Sequence, residues 1–182
     1  HLIQSHLDLG KQVLLLIPEI ALTTQLINRL EKYFGKQIGV YHSKFNQNER
    51  VEIWQKVHAN HPEEFRVIIG ARSSVFLPFQ DLGLVIVDEE HESSYKQHDP
   101  SPRYHGRDAS IYLAKMFNAK VLLGSATPSL ESFQNTIDHK YGYVRLASRF
   151  GDLNMPEILI ANTQQETLSK SMTSHFSSLL ID

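Results

Sequence analysis

Short apolar runs alternate along the chain with stretches whose apolar positions recur every three or four residues. Val13 to Ile17 reads VLLLI and stops at Pro18; unbroken runs of this kind mark strands covered on both faces. Further strands are expected over Ile38 to Tyr41, Arg66 to Ile69, Leu84 to Val87 and Val121 to Leu123, the last broken by Gly124. Between them, Ala21 to Phe34 carries Leu22, Leu26, Ile27, Leu30 and Phe34 at helical spacing, with Gly35 as a stop. Asn46 is a helix cap ahead of Val51, Trp54 and Val57, which read most simply as core positions. Asp108 to Phe117 and Ser129 to Ile137 are two more helical stretches, and Leu2 to Leu9 is a helix closed by Gly10. Residues 92 to 104 are polar, hold two prolines and read as a loop. Strands separated by helices predict an α/β fold, a parallel sheet flanked by helices on both sides.

The pattern changes near Ser148. Gly151 to Pro156 reads as a linker, Glu157 to Ala161 as one more strand, and Met172 to Ile181 as a helix. Residues 1–148 are therefore expected to form one lobe, and 149–182 a linker with the start of a second. The first residue is His1 rather than Met, so a fragment of a longer protein is expected.

Composition narrows the function. Of 182 residues 41% are hydrophobic, enough for a buried core, and the formal net charge of −2 gives no global basic field. Nucleic-acid contact would have to be a local strip. There is no cysteine, which excludes a disulfide scaffold and a cysteine zinc site in this segment and fits an intracellular protein. No apolar run approaches the ~20 residues needed to span a membrane.

Chemistry concentrates at two strand ends. Asp88-Glu89-Glu90-His91 follows Leu84 to Val87 directly. A strand that delivers an acidic pair to its C-terminal end can hold Mg²⁺ with the first carboxylate and handle an attacking water with the second. Charged residues also serve simply as exits from a sheet. Gly124-Ser125-Ala126-Thr127-Pro128 follows the next apolar strand. Its hydroxyls could bond the acidic group across neighbouring strands, or merely cap a helix. The two motifs at consecutive strand ends are far more specific than either alone. His42 beside Ser43 lacks a third partner that would make a nucleophile, and the histidines show no metal-ligand spacing.

These residues resemble the DEAH-type motif II and motif III of superfamily 2 helicases. Pro18-Glu19-Ile20-Ala21-Leu22-Thr23, Tyr41-His42-Ser43, GARSSVFLPF from Gly70, DEEHESSYKQ from Asp88, PRYHGRD from Pro102 and GSATPSLES from Gly124 extend the resemblance to replication-restart DNA helicases of the PriA type. Two departures are visible: Ala71 stands where that family usually has Thr, and Gly106 where Ala is commoner. The resemblance implies a RecA-like lobe of a P-loop NTPase that uses ATP and Mg²⁺. Asp88 would hold Mg²⁺ through water, Glu89 would be the catalytic carboxylate, and His91 would link the nucleotide to Ser125 and Thr127. Pro18, Glu19, Thr23, Gln25, Arg72 and Ser73 would lie along DNA. Tyr95, Lys96, Gln97, Arg103, Tyr104, His105 and Arg107 would form an aromatic loop for single-stranded DNA. Interleaved aromatic and basic residues suit base stacking and phosphate contact, although such a loop can equally pack back on its own domain. The loop is expected to be weakly packed until DNA binds.

No G-x-x-x-x-G-K-[ST] phosphate-binding loop occurs, and it is expected a few residues upstream of His1. The lobe alone is therefore expected to be inactive. For the parent the resemblance implies a cytoplasmic helicase acting on single-stranded and forked DNA. It would work with replisome-loading and single-strand-binding proteins and carry zinc outside this segment. A related superfamily 2 translocase of the restriction or RecG-like type is the alternative, as is a nucleic-acid-binding module without ATPase activity.

Overall fold

The computed structural model describes residues 1–42, 45–146 and 158–181. Five apolar runs become the strands β1 (Gln12–Leu16), β2 (Ile38–Tyr41), β3 (Val67–Gly70), β4 (Leu82–Val87) and β5 (Lys120–Leu123). They form one sheet in the order β2-β3-β1-β4-β5, every neighbouring pair parallel. Parallel neighbours need crossovers: α2 (Thr24–Phe34), α3 (Gln47–Ala59) and α4 (Gly106–Met116) supply three of them and a 3₁₀ turn, Arg72–Phe76, lies on the β3–β4 connection, while α1 (Leu2–Asp8) precedes β1 and α5 (Leu130–Ile137) follows β5.

Alternation along each strand assigns the two faces. Leu14, Leu16, Ile68, Val85 and Val87 join Ile53 and Val57 of α3 and Ala114 of α4 in one buried cluster. Val13, Ile17, Val67, Ile69 and Leu84 face the other way, covered by Leu22, the α2 residues Leu26, Leu30 and Phe34, and Ile3 and Leu7 of α1. Each fully buried Leu or Ile side chain contributes about 1.5–3 kcal/mol through removal from water. These clusters are what make the unbroken apolar runs read as two-sided strands. One buried polar residue stitches the layers together. The Gln12 amide donates to the Val57 carbonyl at 3.0 Å and accepts from the Gln80 and Asp81 amides at 2.8 and 3.1 Å.

Local signals set the helix ends. Asn46 and Glu49 form a reciprocal capping box on α3, and Asn60 closes that helix in the left-handed conformation. Thr23 caps α2 by accepting from the Leu26 amide, so that helix begins at Thr24 rather than Ala21; a 3₁₀ turn, Glu19–Ala21, fills the gap. The expected core face of α3 is corrected. Val51 and Trp54 are about half exposed, Trp54 stacks on His58, and Ile53 and Val57 carry the burial. The helix sits rotated from the Val51–Trp54–Val57 line because Ile53 completes a tighter stripe with Val57 over the sheet.

The chain divides into two compact units, His1–Tyr141 and Gly142–Asp182. In the second, residues 158–161 form no strand, and Glu157 lies outside the described residues, as do the expected linker 151–156, Ser43 and Lys44. The expected helix over 172–181 is reduced to Ser178–Ile181, preceded by an isolated bridge between Thr173 and Phe176, and a helix not anticipated covers Thr163–Leu168. In that bridge Thr173 and Phe176 exchange both amide-to-carbonyl bonds, which closes a turn where a continuous helix was expected.

Ile53→Ala is expected to cost about 2–5 kcal/mol through lost burial and a cavity. Trp54→Ala, at a half-exposed site, is expected to cost no more than about 1 kcal/mol. Urea unfolding of the two variants measures the difference. A larger loss at Trp54 would return that residue to the core.

Candidate active site

Because all five strands run in parallel, Leu16, Tyr41, Gly70, Val87 and Leu123 end at one edge of the sheet. The ladder of backbone bonds continues past those ends. The Asp88 amide donates to the Leu16 carbonyl at 2.9 Å, the Gly124 amide to Val87 at 2.8 Å, and the Glu90 amide to Gly124 at 3.0 Å. The DEEH segment is thereby slung between β1 and β5, next to the segment that begins at Gly124.

The four side chains of the motif meet four environments. Asp88 is exposed, and its Oδ1 accepts from the Glu89 amide at 3.1 Å. Glu89 is half-buried and has left-handed backbone, φ 47°. His91 lies between the two hydroxyls that follow β5. Its Nδ1 is 2.7 Å from Ser125 Oγ and its Nε2 3.3 Å from Thr127 Oγ1, while the Thr127 amide donates to Ser125 Oγ at 3.0 Å. Glu89 Oε2 stands 3.6 Å from His91 Nδ1, close enough to pair with it when the ring is protonated. Motif II and the Ser125–Thr127 segment are thus brought together.

Glu90 is buried. Its Oε1 accepts from the Ser129 amide at 2.7 Å. Its Oε2 accepts from Ser132 Oγ at 2.8 Å, Ser129 Oγ at 3.1 Å and Arg107 Nη1 at 2.8 Å. Burial alone would raise the carboxyl's pKa, but those donors outweigh it and hold Glu90 below the usual carboxylate range. Arg107 also meets Asp108 and Ser129. Burial works against its charge, and the Asp108 and Glu90 carboxylates more than restore it. The sequence did not single out Glu90. The one available hint is that Ser129 and Ser132 stand at the N-cap and third position of a helix, where a carboxylate finds ready donors.

The loop after His91 departs from expectation. It is tied down rather than weakly packed. Tyr95 is only 1% exposed and donates from its hydroxyl to the Asp88 carbonyl at 2.7 Å. Burial, with Asp88, Glu89 and Glu92 nearby, pushes its phenol pKa up. Lys96 and His105 form an antiparallel bridge, the Gln97 amide donates to Tyr104 at 2.9 Å, and the Gln97 side chain donates to the Pro100 and Pro102 carbonyls. Lys96 Nζ donates to the Arg103 carbonyl at 3.2 Å. Arg72 Nη1 donates to the Ser94 and Lys96 carbonyls at 3.0 and 3.4 Å. A Cβ on Gly106 would stand 2.8 Å from the Arg72 Cβ, so glycine lets the start of α4 approach this arginine. Burial lowers the His105 pKa, and its Nδ1 has no partner.

Two residues assigned to DNA are therefore spoken for inside the lobe. The Tyr95 ring has no open face, and Arg107 is paired with Glu90. Arg103 is exposed, while Lys96 and Tyr104 are half-buried, Tyr104 standing edge-on to the exposed Phe76 at 4.8 Å. Pro18 is buried, Glu19 and Gln25 are exposed, Thr23 serves as a cap, and Arg72 and Ser73 are half-buried. Pro18 to Gln25, Arg72, Ser73 and the loop all leave the same sheet edge as the acidic motif. Among the described residues no group of three or more histidine, aspartate or glutamate side chains could hold a metal ion directly. An exposed single carboxylate such as Asp88 fits a hydrated Mg²⁺ that takes most of its ligands from water and phosphate.

The family model of the DEAD/DEAH box helicases matches residues 1–136. The chain belongs to the DEAD/DEAH box helicases. Replication restart protein PriA of Bacillus subtilis (strain 168) is 42% identical over 164 residues, 90% of this chain and 20% of the relative. PriA of Chlamydia trachomatis is 42% identical over 173 residues, covering 95% and 23%. PriA of Rickettsia prowazekii is 42% identical over 182 residues, covering 100% and 27%. The helicase segment thus spans about a fifth to a quarter of the length of these relatives. A solved chain described as the S. cerevisiae Dbp5 C-terminal domain bound to Gle1 and IP6 overlaps it with TM-score 0.46 at 13% identity, over 93% of this chain and 88% of that one. No helix among the described residues is long and apolar enough to cross a membrane.

Arg107→Ala strands a buried carboxylate and is expected to cost about 3–5 kcal/mol in urea unfolding. A loss under about 1 kcal/mol would show that the pair is not a buried anchor. The depressed Glu90 pKa also sets a pH dependence. Its contribution is full above the ordinary glutamate value of 4.5 and is lost as the pH falls through its lower folded-state value. Between about pH 5 and pH 3, wild type is expected to lose stability more steeply than Glu90→Gln; parallel profiles would contradict this.

Proposed function

We propose that this lobe supplies the acidic half of the ATP-hydrolysing centre of a replication-restart DNA helicase of the PriA type. The parent would unwind DNA at stalled forks and help reload the replisome. The observation that carries the reading is the bridge from His91 to Ser125 and Thr127, built beside Asp88 and Glu89 at the carboxyl ends of parallel strands. Ligands of open parallel sheets bind at that edge.

Each residue has a role in this reading. Asp88 would hold Mg²⁺ through water. Such an ion would supply positive charge against the nucleotide phosphates. Glu89 takes the proton of the attacking water or orients it. His91, with Glu89 and Ser125 at its Nδ1 and Thr127 at its Nε2, would report the state of the nucleotide to the segment after β5. The phosphate cradle, which residues 1–182 do not contain, would come from another part of the parent. The outer edge of β5 suits such an addition: the strand has no partner there among the described residues, and Val121 and Leu122 are 38% and 43% exposed. This lobe alone would then be inactive.

Single-stranded DNA would cross the same edge, from Pro18, Glu19, Thr23 and Gln25 past Arg72 and Ser73 to Lys96, Arg103 and Tyr104. Tyr95 and Arg107 would act from inside the loop rather than on the strand. In the parent, replisome-loading and single-strand-binding proteins are the expected partners, and a second lobe would begin near residue 149.

In the full-length protein, Glu89→Gln is expected to lower DNA-stimulated ATP turnover at least about a hundredfold while leaving nucleotide binding largely intact, since the Mg²⁺ ligand remains. Steady-state turnover and a nucleotide-binding titration on the same preparation check both halves. Turnover near the wild-type rate would remove Glu89 from the role.

A further inference from the structure

We propose that Glu90 is a positioning residue: clamped by Arg107 and the start of α5, it holds the turn that presents Glu89 and His91. The proposal rests on the reading of Glu89 as the catalytic carboxylate, and adds a residue that lies beneath the site and would not touch the reactants.

The turn needs such a clamp. Glu89 sits at φ 47°, a conformation that residues other than glycine adopt only where the surroundings impose it. The surroundings here are fixed points on both sides. Before it, the Asp88 amide is bonded to Leu16; after it, the Glu90 amide is bonded to Gly124, and the Glu92 amide closes the turn on the Glu89 carbonyl at 2.8 Å. Backbone bonds fix where the segment runs. The Glu90 side chain fixes its rotation, because it enters the lobe interior and ends on four donors: the Ser129 amide, Ser129 Oγ, Ser132 Oγ and Arg107 Nη1. With Glu90 held inward, its neighbours Glu89 and His91 are left at the open edge.

The donor set explains why the residue must be a carboxylate. An ionised carboxylate accepts at both oxygens and donates nothing. A glutamine would turn an NH₂ group toward donors at one end of the fork, and an aspartate is one methylene short of the α5 N-terminus. Arg107 is equally constrained. Its guanidinium reaches Glu90, Ser129 and Asp108 from one planar group, which a lysine cannot do. The pair also joins three pieces of chain: the acidic motif, the first turn of α4 that follows the Tyr95–Tyr104 loop, and the first turn of α5 that follows Ser125 and Thr127.

The test uses the full-length protein and the variants Glu90→Gln, Glu90→Asp and Arg107→Lys, each with its folded fraction measured. Expected is a loss of about ten- to a hundredfold in kcat for ATP, the scale set by misplacing a reacting group by an ångström or less. KM for ATP and affinity for single-stranded DNA should stay within about threefold. Backbone hydrogen exchange should rise selectively at residues 88–92 and 124–132. A kcat unchanged per folded molecule overturns the proposal, as does unchanged exchange in those two segments. If kcat, KM and folded fraction all fall together, Glu90 is structural only and the proposal is also overturned. Failure of the underlying reading looks different: wild type would not turn over ATP, or Glu89→Gln would remain active. The exchange comparison would then decide by itself whether Glu90 holds the turn.

Discussion

The site depends on one constraint, the parallel run of all five strands. Parallel pairing sends every strand end to a single edge, and it leaves the backbone groups just beyond those ends in need of partners. Here neighbouring segments supply them. Asp88 bonds to Leu16, Gly124 to Val87, and Glu90 to Gly124, so the ladder extends about a residue or two beyond the regular strands. That extension sets the spacing between the acidic motif and the Ser125–Thr127 segment before any side chain acts. His91 then has two hydroxyls within reach because β4 and β5 are neighbours. Slip the register of that pair and the histidine would face nothing.

The same constraint explains which parts were legible from sequence. Strands covered on both faces are unbroken apolar runs, so VLLLI and LGLVIV stand out, and a strand that ends in DEEH announces its own chemistry. Helix ends with a chemical signal were also legible: the cap Asn46 and the stop Gly35. Positions fixed by tertiary choice were not. Val51, Ile53, Trp54 and Val57 all belong to one helix, and nothing local says whether Trp54 or Ile53 faces the sheet. The aromatic residue is the larger hydrophobe, yet the sheet below α3 is already filled by Leu14, Leu16, Phe79 and Val85, and the smaller Ile53 fits there. Past Tyr141 no strand forms over 158–161 and the expected long helix is cut to Ser178–Ile181, because their apolar patterns are short. In that unit most large apolar side chains among the described residues remain exposed, so no core selects between helix and strand.

Polar composition misled the reading of residues 92–107. A segment with two prolines, several charges and few aliphatics looks unable to pack. It packs because its aromatic and charged groups find specific partners rather than a generic apolar surface. Tyr95 buries its ring and places its hydroxyl on the Asp88 carbonyl, Arg72 satisfies two carbonyls of the loop, and Gly106 admits the close approach that brings Arg72 against α4. Hydrogen-bonded packing of this sort leaves no periodic trace in sequence. Tyr95 touches the backbone of Asp88 itself, so a movement of the loop by even a fraction of an ångström reaches the acidic motif without any intervening residue.

The three carboxylates of the motif show how one strand end separates roles by environment. Asp88 points into solvent, where a hydrated cation can approach it. Glu89 is half-covered and beside His91. Glu90 is inside, and only its paired arginine and serine donors make its charge tolerable there. A buried pair is poor evidence for stability, since an apolar replacement of similar size is often as good. Its value here is directional. Apolar side chains would fill the same space at many rotations of the turn, whereas four donors aimed at two oxygens accept one. The left-handed Glu89 next door is the residue whose orientation that choice decides. The chain spends a buried charge on geometry at the point where two neighbouring side chains must both face outward.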